Sequence, residues 1–429
     1  MSVRRGSIAP CTTLALALLV APLAAQQQVQ LSARDRTLTD RPTTVFTIGA
    51  EEGESWEMFS GIRALAFDRA DNLYVLDGQN FRVLVFDARG RFVRQFGKKG
   101  GGPGELQAPL ALAVLADGNI AVTDLANRGY VIYKPDGTYV RNVTFPDNMG
   151  MPIGRIEAEP RGGIVVRTNP RLGPPGTERT GPNYASFLRQ PLPAANGNAA
   201  PTPAPTPLYR VEIPAPRVMD QGPNRRMFMM IEPAFGPRPT FGVLPDGGLA
   251  VHHETEYAIK LLDPNGRHTR TLTRPIKPRK VTKKDQEQEL ERRRTARASG
   301  TGATISVMVG EGGRSGVSVG PPPRAGGPGG GRPEALPLNL DDIPFAEHMS
   351  VVTSLRTDPQ GRIWVQRRHP DGSNAGPIDL VTTAGKYIGT LPAQPLPDAI
   401  SASGLAAYIV RDDLGVERVT VRRLPASWR

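Results

Sequence analysis

Hydrophobic and polar residues alternate along this chain in short runs broken by turn residues, which is the pattern of strands and not of helices. Leu65-Ala66-Phe67-Asp68 leads into a turn at Arg69-Ala70-Asp71. Asn72-Leu73-Tyr74-Val75-Leu76-Asp77 and Arg82-Val83-Leu84-Val85-Phe86 come next, then a turn at Asp87 to Gly90 and the run Arg91 to Phe96. The unit returns at Leu112 to Val143, at Phe241 to Leu272 and at Val351 to Leu391, each time with a Gly closing both turns. Asn72 to Gly90 spans 18 positions, as do Asn119 to Gly137 and Gly248 to Gly266; in the fourth copy Arg362 to Gly385 spans 23.

Two fainter copies complete the set. Ile153 to Thr168 reads as two strands around Arg161-Gly162-Gly163, with Pro207 to Ile213 as a third strand after a long insertion. Near the C-terminus, Ile400 to Val410 and Val416 to Leu424 supply three strands, and Thr43 to Ile48 is the natural fourth. The expected fold is all-β: a six-bladed β-propeller of four-stranded antiparallel blades, closed by pairing the N-terminal strand with the C-terminal blade. A residue resemblance points the same way. Phe96-Gly97-Lys98-Lys99-Gly100-Gly101-Gly102-Pro103-Gly104-Glu105-Leu106, followed by Leu112-Ala113-Val114 and Asp117-Gly118-Asn119-Ile120-Ala121-Val122-Thr123-Asp124, resembles an NHL repeat. The chain as a whole is similar to exported bacterial six-bladed propellers of NHL-like type. That resemblance implies a fold. It implies no single activity, because NHL-like propellers include lyases, lactonase-like enzymes and plain interaction modules.

Two segments interrupt the repeat. Residues 170–206 are rich in Pro, Gly, Ala and Asn and are expected to be disordered. Residues 276–340 begin with a helix from Lys283 to Arg297, capped by Thr282 with Asp285, and continue into a Gly/Pro-rich stretch. The helix is so charged that it is expected to be a solvated surface element. In an up-and-down blade the links from strand two to three and from blade to blade share one face of the disc. Both insertions read as belonging to that long-loop face, which is therefore the expected binding surface.

Composition fits this picture, with 47 Gly, 43 Pro and 6% aromatic residues. Residues 1–25 read as a signal peptide: Arg4 and Arg5, an apolar stretch from Leu14 to Val20 too short to span a bilayer, and Leu23-Ala24-Ala25 before Gln26. The expected location is secreted or periplasmic, with a 26–42 extension, the propeller over 43–429, and no transmembrane span after cleavage. The only cysteine, Cys11, lies in the signal, so the mature chain has no disulfide or thiolate. Removing Arg4 and Arg5 takes the formal charge from +12 to +10. Outside the cytoplasm this favours a protein or an anionic envelope or polysaccharide ligand over nucleic acid. A monomer is expected.

Candidate chemistry gathers on the long-loop face. Asp77, Asn80, Asp124, Asn127, Arg128, Arg367 and Arg368 are the candidate binding residues, with Arg63 nearby. The Asp residues also suit loop capping. No catalytic residue and no cofactor is assigned. The alternative is a metal-dependent hydrolase or lyase, lactonase-like or amidating-lyase-like, holding Ca or Zn in the central channel; its candidate ligands are His252, His253, His348 and His369. Gly100 to Gly104 lacks the Gly-Lys-Ser/Thr ending of a phosphate loop and opens no helix. No nucleophile elbow is present.

Overall fold

The computed structural model describes residues 27–147, 149–170, 182–192, 203–214, 217–220, 226–229, 232–298, 304–309, 315–320, 343–412 and 414–428. The signal peptide lies outside them. Six antiparallel four-stranded blades form a ring. Blade one is Ile62–Phe67, Leu73–Asp77, Arg82–Phe86 and Phe92–Phe96; blade two is Pro109–Val114, Ile120–Asp124, Gly129–Tyr133 and Tyr139–Thr144. Blade four is Thr240–Val243, Leu249–His252, Ala258–Leu262 and His268–Thr273; blade five is Val352–Thr357, Arg362–Arg367, Ile378–Thr382 and Tyr387–Leu391. Blade six takes Ala399–Ile400, Leu405–Arg411 and Glu417–Arg423 from the C-terminal region and Thr43–Ile48 as its outermost strand.

Because side chains alternate across each strand, every blade is apolar on both sides, and the core divides into layers between blades. Tyr74, Leu76, Val83 and Val85 of blade one meet Leu112, Ile120, Val122 and Val131 of blade two. A comparable cluster lies at each of the other five seams, including the closing seam, where Leu65, Val75 and Leu84 pack against Leu405, Ala407 and Val419. Fully burying one such side chain is worth about 1.5–3 kcal/mol, so the ring is held by its seams. The tight turns demand glycine: Gly137 has φ +90°, and a Cβ there would come within 2.8 Å of the Phe96 ring.

Blade three departs from expectation. It is Met151–Ala158, Ile164–Asn169, Asn183–Gln190 and Thr206–Ile213. Residues 170–206 are therefore not one disordered insertion, since Asn183–Gln190 is the third strand and pairs with both neighbours. Pro207 to Ile213 belongs to the outermost strand instead. Strands three and four are consecutive, so their connection starts and ends on the tight-turn face, at residues 191–192 and 203–205. The expectation that all elaboration shares one face is corrected to that extent.

The long-loop face carries an insertion that sequence reading passed over. Residues 214–239 join blades three and four, and residues 274–351 join blades four and five; the two connections fold together. Ala234 N–H donates to Pro344 O at 2.8 Å, and Ala234 O accepts from Ala346 N–H at 3.0 Å. Strands Arg217–Asp220 and Arg226–Met229 of one pair with Thr304–Val309 and Ser315–Gly320 of the other in a small sheet. The helix runs Lys283–Ala298 and opens with the expected capping box: Thr282 N–H donates to Asp285 Oδ2 at 2.8 Å, and Asp285 N–H to Thr282 Oγ1 at 3.3 Å. Among the described residues no helix is long and apolar enough to cross a membrane.

The chain before blade six forms a belt. Gln27–Gln30 adds in parallel to the outer strand of blade four, Leu38 N–H donates to Thr390 O of blade five, and Thr43–Ile48 completes blade six. Asp35 fastens the belt, bonding Arg274 and Arg367 at 2.7 Å each.

Candidate functional site

One register position organises the long-loop face. Asp77, Asp124, Asn169, His252 and Arg367 each stand opposite the first residue of their blade's innermost strand. In blades one and two this position is a buried Asp that closes its own loop. Asp124 accepts the backbone N–H groups of Gln107 at 2.7 Å, Ala108 at 3.1 Å, Ala126 at 3.1 Å and Asn127 at 3.0 Å. Asp77 accepts from Ser60 N–H at 3.0 Å, from Asn80 Nδ2 at 2.8 Å and from Arg82 Nε at 3.1 Å. Asn80 and Asn127 donate their amides to these same carboxylates. The four residues tie each two-to-three loop to the preceding interblade link, with their polar atoms turned toward the protein. Arg128, at φ +50°, lies beside Asp147 on the surface.

In blades four and five the Asp is gone. His252 is buried, with Nδ1 3.0 Å from Ala258 O, and burial pulls its pKa down to about 4. Its neighbour His253 sits 3.1 Å from Tyr209 Oη and 3.2 Å from Lys260 Nζ, and burial followed by the Lys260 charge lowers its pKa. His348 lies beside Glu347, and His369 Nδ1 is 2.9 Å from Asp371. Each candidate metal ligand thus has surroundings of its own. Among the described residues no three His, Cys, Asp or Glu are grouped so as to hold a metal ion. Arg367 is committed to the belt through Asp35 and stands 3.5 Å from Asp379.

Charged side chains also link blades three to six near their innermost strands. Arg155 of blade three crosses to the carbonyls of Phe241 and Leu355, and Glu157 accepts from Val243 N–H at 2.7 Å. Arg356, whose pKa burial lowers to about 10, lies 3.9 Å from Asp398.

Of the sequence candidates, Arg368 lines a cleft at the helix. A cleft of about 190 Å³ opens between the helix, residues 235–238 and the start of blade five. Arg368 forms its floor, with a half-buried guanidinium. All of its hydrogen-bond partners among the described residues are neutral: Ser350 O at 3.0 Å, Gly372 O at 3.2 Å, Asn374 Oδ1 at 2.9 Å and Phe235 O at 3.4 Å. Burial, then the nearby Arg238 charge, pull its pKa down to about 10; Glu289 opposes this and Arg292 adds to it. Arg292 and Arg293 share the single carboxylate of Glu289, while Arg238 shares Glu232 with Arg167. Among the described residues, the guanidiniums of Arg167, Arg238, Arg292, Arg293 and Arg368 are thus accompanied by the carboxylates of Glu232 and Glu289.

The charged composition of the helix predicts a solvated surface element. The helix is docked instead, because Leu290 packs on a small core of Ala234, Phe235, Ile343 and Met349. Glu289, Arg292 and Arg293 escaped the sequence pattern for that reason, and Arg238 because it lies in the link between blades three and four. The Arg292-Arg293-Arg294 run was the available signal.

A family model supports the architecture over part of the chain. Residues 58–157 match the domain family DUF5128, described as a 6-bladed beta-propeller. No curated protein matches the chain. Among solved structures, a Bacteroides fragilis protein described as exported is 10% identical, with TM-score 0.46, covering 93% of this chain and 100% of its own. A gluconolactonase from Xanthomonas campestris is 10% identical, with TM-score 0.37 and coverage of 90% and 89%. Virginiamycin B lyase from Staphylococcus aureus is 13% identical, with TM-score 0.36 and coverage of 85% and 95%. These are likenesses of fold.

Proposed function

We propose that this six-bladed propeller is an exported binding module whose long-loop face takes an anionic ligand in the cleft floored by Arg368. One observation carries the reading. A half-buried guanidinium with only neutral partners, crowded by like charges, is an electrostatic debt that a bound anion would relieve. The signal-like N-terminal stretch supports a location outside the cytoplasm, where an envelope or polysaccharide anion is the natural partner.

The test is calorimetric titration with sodium sulfate at low ionic strength. Sulfate is expected to bind, and its affinity to fall roughly tenfold, about 1.4 kcal/mol, when Arg292 and Arg293 are both changed to Ala. Both side chains sit on the outer helix, so folding is expected to survive. Identical affinities for wild type and double variant, or no binding by either, would overturn the proposal.

A further inference from the structure

Taking the anion-binding reading as its base, we infer that the cleft receives an acidic sugar: a hexuronate-type unit carrying one carboxylate and several hydroxyls. The argument rests on what the cleft offers besides positive charge. A site made for a bare inorganic anion would present donors alone, because every acceptor near the ligand repels it. This cleft mixes the two. Its guanidiniums, Arg368, Arg238 and Arg292, are donors suited by their planar fork to a carboxylate. The carboxylate of Glu289 lies among them, and Ser354 and Gln366 contribute a hydroxyl and an amide from blade five.

Glu289 is decisive. As an acceptor-only group it opposes a second anion, but it accepts readily from a ligand hydroxyl. A ligand with its carboxylate toward Arg368 and its hydroxyls toward Glu289 and Ser354 satisfies both halves of the cleft. Gln366 is held in place for such a role, since its Nε2 donates to Gly376 O at 2.9 Å and Gln394 O at 2.6 Å, which leaves Oε1 as its remaining acceptor. Size agrees. At about 190 Å³ the cavity is smaller than the ~300–1,000 Å³ of sites for drug-sized ligands, and it suits one sugar ring.

The experiment compares sodium glucuronate, methyl glucuronoside, glucose, acetate and sulfate on the same protein by calorimetry. Glucuronate is expected to bind at least tenfold more tightly than acetate or sulfate, and glucose not detectably. Methyl glucuronoside mimics the end of an acidic glycan: binding equal to glucuronate assigns the site to a chain end, and loss of binding assigns it to the free sugar acid. Ser354→Ala is expected to weaken glucuronate severalfold and leave acetate unchanged. Glu289→Gln is expected to strengthen acetate and sulfate and to shrink the preference for glucuronate. If sulfate and acetate bind as well as glucuronate in the wild type, the sugar assignment fails while anion binding stands. If glucose binds as well as glucuronate, the assignment fails for want of charge selectivity. If no anion binds, both fall together.

Discussion

Blades one and two and the seam between blades four and five solve the same problem in opposite ways. In the first pair, a buried Asp at the end of the second strand gathers backbone amides, and the loops stay short. At the seam the same register holds His252 and Arg367, which cap nothing of that kind. There the link between the two blades has grown into residues 274–351, which folds together with the 214–239 link from blade three, and charges are neutralised across elements far apart in sequence. Arg274 bonds Asp379 at 2.8 Å and Asp35 at 2.7 Å. A loop closed by its own carboxylate turns that carboxylate's acceptors toward the protein. A loop without one must borrow partners, and the borrowing leaves Arg368 with only neutral hydrogen-bond partners among the described residues.

The comparison can be broken most sharply at Asp124. Asp124→Ala removes a buried carboxylate and the acceptor of four part-buried backbone N–H groups, and is expected to cost on the order of 3–4 kcal/mol in chemical denaturation; a loss under about 1 kcal/mol would mean that the carboxylate does not hold the regular half together. The seam is expected to be the acid-sensitive half. His252 titrates near 6.5 when unfolded and near 4 when folded, so the unfolded chain binds the proton first. Stability is then full above pH 6.5 and falls as pH drops toward 4, by about 3 kcal/mol at most. His252→Asn is expected to flatten that part of the profile measured by urea unfolding, and an unchanged slope would remove His252 as its source. The smallest effect belongs to the helix cap. Asp285→Ala is expected to cost about 1 kcal/mol, seen as faster amide hydrogen exchange near residues 283–286 with blades one and two unaffected.

The regular half was nearly all legible, because its period-two strands and Gly-closed turns encode their partners locally. The closing strand Thr43–Ile48 was legible too, since blade six was visibly short of one strand. Asn183–Gln190 was not. It is flanked on both sides by Pro- and Gly-rich stretches, and its signal is the alternation of buried Ala185 and Phe187 with half-buried Ser186. The cleft was half legible. Arg368 could be placed on the correct face from topology, whereas Arg238 and Glu289 come from links whose mutual folding no local pattern announces. Asp77 and Asp124 could be read as caps or as ligand groups, and their geometry is that of caps.

The belt over blades four to six has a consequence for the order of events in folding. Residues 43–48 leave the ribosome long before residues 417–423, yet each strand is the other's partner. Until the later strand arrives, the earlier one is a bare edge with unsatisfied amides, open to pairing with any neighbouring chain. The sheet can be completed only when synthesis is nearly over, so the molecule depends on being kept apart from its own copies in the interval. A truncation that removes 405–423 therefore does more than delete one blade: it leaves the belt a sticky end.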